Sequence, residues 1–382
     1  MLDFSLTPEL RALRTKAHAF AEEIIRPVSR HYDATGEWAG PVFQQAWEQG
    51  LLQSCVPKEW GGAGLNHLEE AVLFEEIGWG CAGFFTMLNC NTLATMPLRL
   101  AGTGEQQLQW FPRLLEAPRF AAFALSEPTA GSDVSAIACT AAKRWDAYVL
   151  NGTKCYCTCG DVADFVIVFA NVDPEKGARG ITAFIVPRDT PGMRVGRIMD
   201  KLGQRASRQV ELHFEDAVVP AANRLGAEGA GFMLAMHTLD RTRATVAAGA
   251  VGLARAAFEL ALEFAQARTQ FGTAIVNHQA VAFMLADMAK KIEASRLLAW
   301  QAAWLADTKQ KNAKQSAMAK TFATDTAMEV ATDAVQILGG HGYSKEFLAE
   351  KFFRDAKLMQ IYEGTNQIQR MIIAKEIQRE ER

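Results

Sequence analysis

Phe120-Ala121-Ala122-Phe123-Ala124-Leu125-Ser126-Glu127-Pro128-Thr129-Ala130-Gly131-Ser132-Asp133 is where the chain changes its period. A short apolar run breaks into a cluster of small and hydroxyl residues. Upstream the pattern is helical. Thr7-Pro8-Glu9 supplies a hydroxyl cap, a proline at the first helical position and an acid. Leu10, Leu13, Ala17, Phe20 and Ile24 then recur at three-four spacing. Arg26-Pro27 is expected to end that helix. Further helices are predicted over residues 41–50 and 68–77, through an apolar segment at 84–100, and in a short stretch reaching Leu115. Downstream, short strands are predicted at 120–125, 147–150, 155–158, 165–170, 181–186, 193–198 and 210–214. Asn151-Gly152, Asp173-Pro174 and Pro191-Gly192 separate several of them as turns. After Gly226 and Gly229-Ala230-Gly231 the helical period returns, with helices over 231–268, 278–307, 314–338, 347–354 and 366–380. Long helices with short connections pack as an antiparallel bundle. The predicted architecture is α+β and multidomain. An N-terminal helical domain covers 1–118, a middle antiparallel β domain (barrel or sandwich) 119–226, and a C-terminal four-helix bundle 227–382.

Composition narrows the class. The 382 residues are 49% hydrophobic and 22% charged, ordinary for a globular protein. A net charge of −3 gives no reason to expect nucleic acid or an anionic membrane as partner. No run of about 18 unbroken apolar residues exists to cross a bilayer. Met1-Leu2-Asp3-Phe4 lacks the pattern of a signal peptide. Seven cysteines are present, and Cys155, Cys157 and Cys159 alternate on one face of a predicted strand. No nearby His completes a metal set, so no metal is expected. Reduced thiols in a cytoplasmic protein are the expectation.

Several constellations carry chemistry. Ser126 and Ser132 offer hydroxyls where small residues let a ligand approach the backbone, although the same stretch also suits a simple chain reversal. Tyr156 and Thr158, two apart on a strand, place an aromatic ring and a hydroxyl on one face, which suits a flat heteroaromatic ligand or an ordinary cross-strand pair. Arg268 in Ala267-Arg268-Thr269-Gln270-Phe271-Gly272 has the planar cation that grips a diphosphate, or is an exposed loop arginine. Gln336 to Gly342 closes a helix with three glycines. In Gln360-Ile361-Tyr362-Glu363-Gly364-Thr365-Asn366-Gln367, a carboxylate lies between an aromatic residue and a glycine. A partly desolvated carboxylate there can act as a base.

Together these stretches resemble the acyl-CoA dehydrogenase family. Ser126–Asp133 is similar to its first signature, and Gln336–Tyr343 with Arg354–Arg370 to its second, in the family's order. The resemblance implies FAD between the β domain and the C-terminal bundle, in a homotetramer built as a dimer of dimers. It places Phe123, Leu125, Ser126 and Ser132 near the flavin, with Ser132 also toward the substrate, and Tyr156 and Thr158 against its ring. Arg268, Phe271, Gln279, Gln336 and Gly340 match positions holding diphosphate and adenine across subunits, and Thr365 and Gln367 match further FAD contacts. Asp240, Arg243, Leu93, Tyr362 and Gly364 border the substrate. Glu363 matches the catalytic base. The family usually has Trp where this chain has Tyr156, and often Asn where it has Cys159. A second base position used by branched- and long-chain members is occupied by Thr242.

The activity so implied is FAD-dependent α,β-dehydrogenation of a short- to medium-chain, branched or cyclic acyl-CoA to the trans-2-enoyl-CoA. Electron-transfer flavoprotein is the implied acceptor. Alternatives are a carrier-protein-tethered acyl substrate, or an oxygen-using flavin oxidase or monooxygenase of the same fold. Residues of the 86–93 segment are expected to line the acyl pocket, with flexible Met87 filling or vacating space. No cation precedes Arg99 there, which argues against a carboxylate-tailed acyl group.

Overall fold

A computed structural model describes residues 5–380; the Met1–Phe4 stretch lies outside the described residues. Thr7 caps α1 (Pro8–Phe20) as its sequence predicts, its hydroxyl accepting from the Leu10 N–H. Arg26-Pro27 does not end the helical path. A π-helical turn at Ala21–Ile25 carries the chain into α2 (Arg26–Thr35), with Pro27 in its first turn. The wider turn shifts the hydrogen-bond register ahead of the proline, whose missing N–H then falls where a helix start has no partner anyway. Next come α3 (Gly40–Glu48), α4 (His67–Gly80), α5 (Ala82–Leu88), α6 (Cys90–Ala101), α7 (Gly104–Trp110) and α8 (Arg113–Glu116). α4 is buried on nearly every side. Its Glu75 and Glu76 are therefore paired, Glu75 with Arg255 and Arg296, and Glu76 with Arg255.

The strands are β1 (Phe120–Ala124), β2 (Thr140–Arg144), β3 (Ala147–Thr158), β4 (Ala163–Asn171), β5 (Ile181–Pro187), β6 (Met193–Ile198), β7 (Gln209–Pro220) and β8 (Arg224–Leu225). They form one sheet in the order β6-β7-β3-β2-β4-β5-β8, with β1 beside β4. The expectation of an antiparallel domain needs correction, because β1 and β2 both pair with β4 in parallel. The long excursion through β2 and β3 returns the chain to the same end, which parallel pairing requires. Asn151-Gly152 is not a turn either. β3 runs through it with a register shift against β7, and the Asn151 side chain accepts from the Asp216 N–H. A bulge absorbs the glycine without ending the strand.

The C-terminal part is α9 (Gly231–Ala267), the short hairpin β9 (Thr269–Gln270) and β10 (Thr273–Ala274), α10 (Gln279–Asp307), α11 (Ala313–Leu338), α12 (Gly340–Tyr343), α13 (Ala349–Met359) and α14 (Asn366–Glu380). α9 is long and apolar enough to cross a membrane, but most of that stretch is buried inside the protein. It packs on α4, α10 and α11. All seven cysteines are free and buried. Burial pushes the thiols of Cys55 and Cys139 up, to about 12 and about 11. Cys155, Cys157 and Cys159 are all buried, but Cys157 joins the β-domain core while Cys159 faces the Met87 sulfur at 3.6 Å.

Glycines allow the α4–α9 contact. A Cβ on Gly252 would lie 2.0 Å from the Glu75 carbonyl oxygen, and one on Gly78 2.4 Å from that of Gly249. Neither neighbour can yield, being helix backbone. Gly252→Ala should therefore cost about 2 kcal/mol or more in denaturant unfolding. Gly104→Ala, with open space around its Cβ, should be neutral or slightly stabilising.

Candidate active site

The turn between α13 and α14 holds two successive residues in the left-handed region, Glu363 at φ 51° and Gly364 at φ 91°. Gly364 suits that conformation. Glu363 does not, so surrounding bonds must hold it there. The Glu363 carbonyl accepts from Gln369 Nε2 at 3.2 Å and Arg243 Nε at 3.4 Å. The Gly364 carbonyl accepts from Lys320 Nζ at 2.9 Å and Gln369 Nε2 at 3.0 Å. A side chain at 364 would strike that amide, 2.6 Å from the ideal Cβ.

The Glu363 carboxylate is half-buried and accepts a hydrogen bond from Thr242 Oγ1 at 2.9 Å. Burial raises its pKa above the usual carboxylate value; the Thr242 bond, Arg243 and Lys320 work in the opposite direction. Arg243 is almost wholly buried and pairs with Asp240 at 2.5 Å. Asp240, Arg243, Glu363, Gly364 and Thr242 therefore form one cluster. Tyr362 is half-buried beside Thr86 and Gln204, and burial raises its hydroxyl pKa. Leu93 is half-buried on α6.

The 86–93 segment is packed into the interior. Thr86, Met87, Leu88 and Asn89 are all buried. The Met87 sulfur accepts from the Arg208 N–H at 3.4 Å, so it is wedged between domains rather than free to make room.

The β-domain residues gather at the other side of this junction. Tyr156 sits in a bulge of β3 at φ 56° and is 66% exposed. Thr158, two residues on, accepts from Gln209 Nε2 at 3.1 Å. Ser126 is half-buried, and its carbonyl accepts from the Cys155 N–H at 2.9 Å, docking the loop onto β3. Phe123 lies against Phe169 with ring centres 5.0 Å apart, Leu125 is buried, and Ser132 is exposed. The loop is shaped by an ion pair absent from the sequence-based reading. Lys154 Nζ meets Glu127 at 2.6 Å, both buried, and Glu127 also accepts from the N–H groups of Ala138 and Cys139.

A relay joins the two sides. Gln209 bonds Ser207, whose hydroxyl donates to the Gln204 carbonyl at 2.8 Å. The Gln204 side chain accepts from Thr86 at 2.7 Å and donates to the Asp355 carbonyl at 3.0 Å, while its N–H donates to the Asp355 carboxylate. Gln204 and Gln209 carried no sequence signal beyond their type; only contact reveals them.

The remaining predicted residues face outward. Thr365 and Gln367 line a cavity of about 320 Å³ with Asp325, Lys357, Gln360, Ile361, Asn366 and Arg370. Arg268, Phe271 (97% exposed), Gln279, Gln336 and Gly340 are exposed where the ends of α9 and α11 meet. Phe264 of α9 lies against His341 of α12, ring centres 5.6 Å apart. An exposed ring beside hydroxyls on β3, and a polar cavity of amides and a guanidinium at α14, fit a flat cofactor with a polar tail.

The family models for the acyl-CoA dehydrogenase N-terminal, middle and C-terminal domains match residues 7–117, 122–217 and 229–378. The chain belongs to the acyl-CoA dehydrogenase family. This dehydrogenase is 42% identical to the cyclohexane-1-carbonyl-CoA dehydrogenase of Geobacter metallireducens, over 99% of each chain. It is 41% identical to the acryloyl-CoA reductase (NADH) of Anaerotignum propionicum, over 98% of this chain and 96% of that one. It superposes on butyryl-CoA dehydrogenase from Megasphaera elsdenii with a TM-score of 0.96 at 39% identity, covering 98% of this chain and 100% of the other.

Thr242 favours the Glu363 anion, so removing its hydroxyl moves protonation to higher pH. Carbodiimide labels only the protonated acid. In Thr242→Val, labelling of Glu363 followed by mass spectrometry should persist to higher pH, with about tenfold more modification at neutral pH than in the parent.

Proposed function

We propose that this enzyme converts a short- to medium-chain, branched or cyclic acyl-CoA to the trans-2-enoyl-CoA, with FAD as cofactor and Glu363 as the base. The observation that carries this is the Glu363 carboxylate, half-withdrawn from water, held by Thr242 on a turn whose carbonyls are bonded from behind. The α-hydrogen of a thioester is a weak acid, and removing it needs an aligned base of raised pKa. Burial supplies the raised pKa and the turn supplies the alignment. The Glu363 N–H meets the thioester oxygen, where charge develops as the proton leaves. Bound FAD supplies the hydride acceptor. Tyr156, Thr158, Ser126, Thr365 and Gln367 would hold it from this chain. The exposure of Arg268, Phe271, Gln279, Gln336 and Gly340 supports their serving a neighbouring subunit in a homotetramer.

The relatives named above act on different acyl groups, but each acts on a CoA thioester. This supports CoA over a carrier protein as the anchor here. Electron-transfer flavoprotein is the proposed acceptor, approached by a surface that includes Tyr156 in place of the family's Trp.

Glu363→Gln keeps shape and removes the base. Anaerobic mixing of the FAD-loaded variant with butyryl-CoA should bleach the flavin about 10²–10⁴-fold more slowly than the parent, with stopped-flow absorbance as the measurement. Bleaching at the parent's speed would remove Glu363 from its role.

A further inference from the structure

Lys320 lies on α11 and is wholly buried. Its position belongs to a stripe of small residues, Ala317, Thr324 and Ala327, all buried. A lysine there must have a reason, since an ammonium is costly to withdraw from water. Its Nζ donates to the Gly364 carbonyl at 2.9 Å and to Asn366 Oδ1 at 2.8 Å, both neutral oxygens. Asn366 is in turn fixed by Thr324 and Asp325, its amide donating at 2.9 Å and 2.7 Å. Gln369, also wholly buried, donates to the two carbonyls of Glu363 and Gly364, and its own Oε1 has no donor. An amide that leaves its oxygen unpaired in the interior is oriented by what its nitrogen holds.

We propose that Lys320 is a positioning residue for Glu363, anchoring from beneath, together with Gln369, the left-handed turn that presents the carboxylate to Thr242. This rests on the reading of Glu363 as the base. The anchor also places a cation behind the carboxylate. The charged and titratable groups facing the turn are Asp240 and Arg243 from α9, Lys320 and Asp325 from α11, Asp355 from α13, and Tyr362 from the turn itself. Asp240 is committed to Arg243, and Asp325 to Arg370 at 2.8 Å. Lys320 is thus the second cation, after Arg243, that favours the Glu363 anion. Burial lowers its own pKa to about 7, and the nearby Glu363 opposes that fall.

The test uses FAD-loaded, full-length protein with Lys320→Met and Lys320→Gln. Two readouts are taken: the limiting rate of anaerobic flavin bleaching by butyryl-CoA, and carbodiimide labelling of Glu363 against pH. The expected result is a rate loss of about 10–100-fold with near-normal butyryl-CoA affinity, because a misplaced base slows chemistry more than binding. Labelling should extend to higher pH in both variants. Parent-like rates with a parent-like labelling profile overturn the proposal. So does failure of both variants to bind FAD, which makes Lys320 a folding residue. If the parent itself is not bleached by butyryl-CoA or hexanoyl-CoA, the functional reading falls. The labelling shift, which needs no turnover, then still decides the role of Lys320.

Discussion

A carboxylate half out of water, on a residue forced into the left-handed region, is the constraint around which the C-terminal half is arranged. Left to itself, a glutamate at φ 51° would relax. The turn holds because both of its carbonyls point back into protein, where three donors wait. Those donors come from three helices: Arg243 from α9, Lys320 from α11 and Gln369 from α14. The close packing of α9, α11 and α14 is thus what keeps one peptide turn in an unfavourable shape.

The same economy governs the joint between domains. Asp355 on α13 is wholly buried and would be costly alone. It pairs with Lys351 at 2.5 Å and accepts from the Gln204 N–H, so its charge is matched and its acceptors are used. Next to it Arg354 pairs with Asp33 of α2 at 2.7 Å and with Glu350 at 2.7 Å, and donates to the Leu202 carbonyl. Two adjacent residues therefore bind the N-terminal helices, the β domain and α13 to one another. Tyr362 sits beside Gln204 and Thr86, where this joint passes next to Glu363. A shift between domains would be felt at the carboxylate.

Much of this was legible in the chain and some was not, for physical reasons. The bounds predicted for α9, α10 and α11 fall within one residue of those observed, because helical periodicity is a local signal. β2, Thr140–Arg144, was missed because two alanines, a lysine and an arginine give little strand signal; pairing with β3 makes it a strand. Asn151-Gly152 read as a turn because its local chemistry is that of one, and β7 overrode it. Met87 read as free to fill or vacate space because its contact partners, Cys159 and Arg208, are far away in sequence. Glu363 was legible through the motif around it. Lys320 and Gln369 were not singled out, although a lysine inside the buried stripe of a helix is a signal that periodicity alone can expose.

Thr242 connects these threads. The position facing Glu363 across α9 is one where a carboxylate would also fit a catalytic role, and here it is a hydroxyl 2.9 Å from the glutamate. Two carboxylates that close cannot both ionise; each would raise the other's pKa until they shared one proton. A threonine avoids that conflict and adds a donor that favours the anion. Arg243 meanwhile pairs with Asp240. Burial raises the pKa of Glu363, and the Thr242 hydroxyl with Arg243 and Lys320 pulls it part of the way back. That balance is set by α9 and α11 before any ligand arrives.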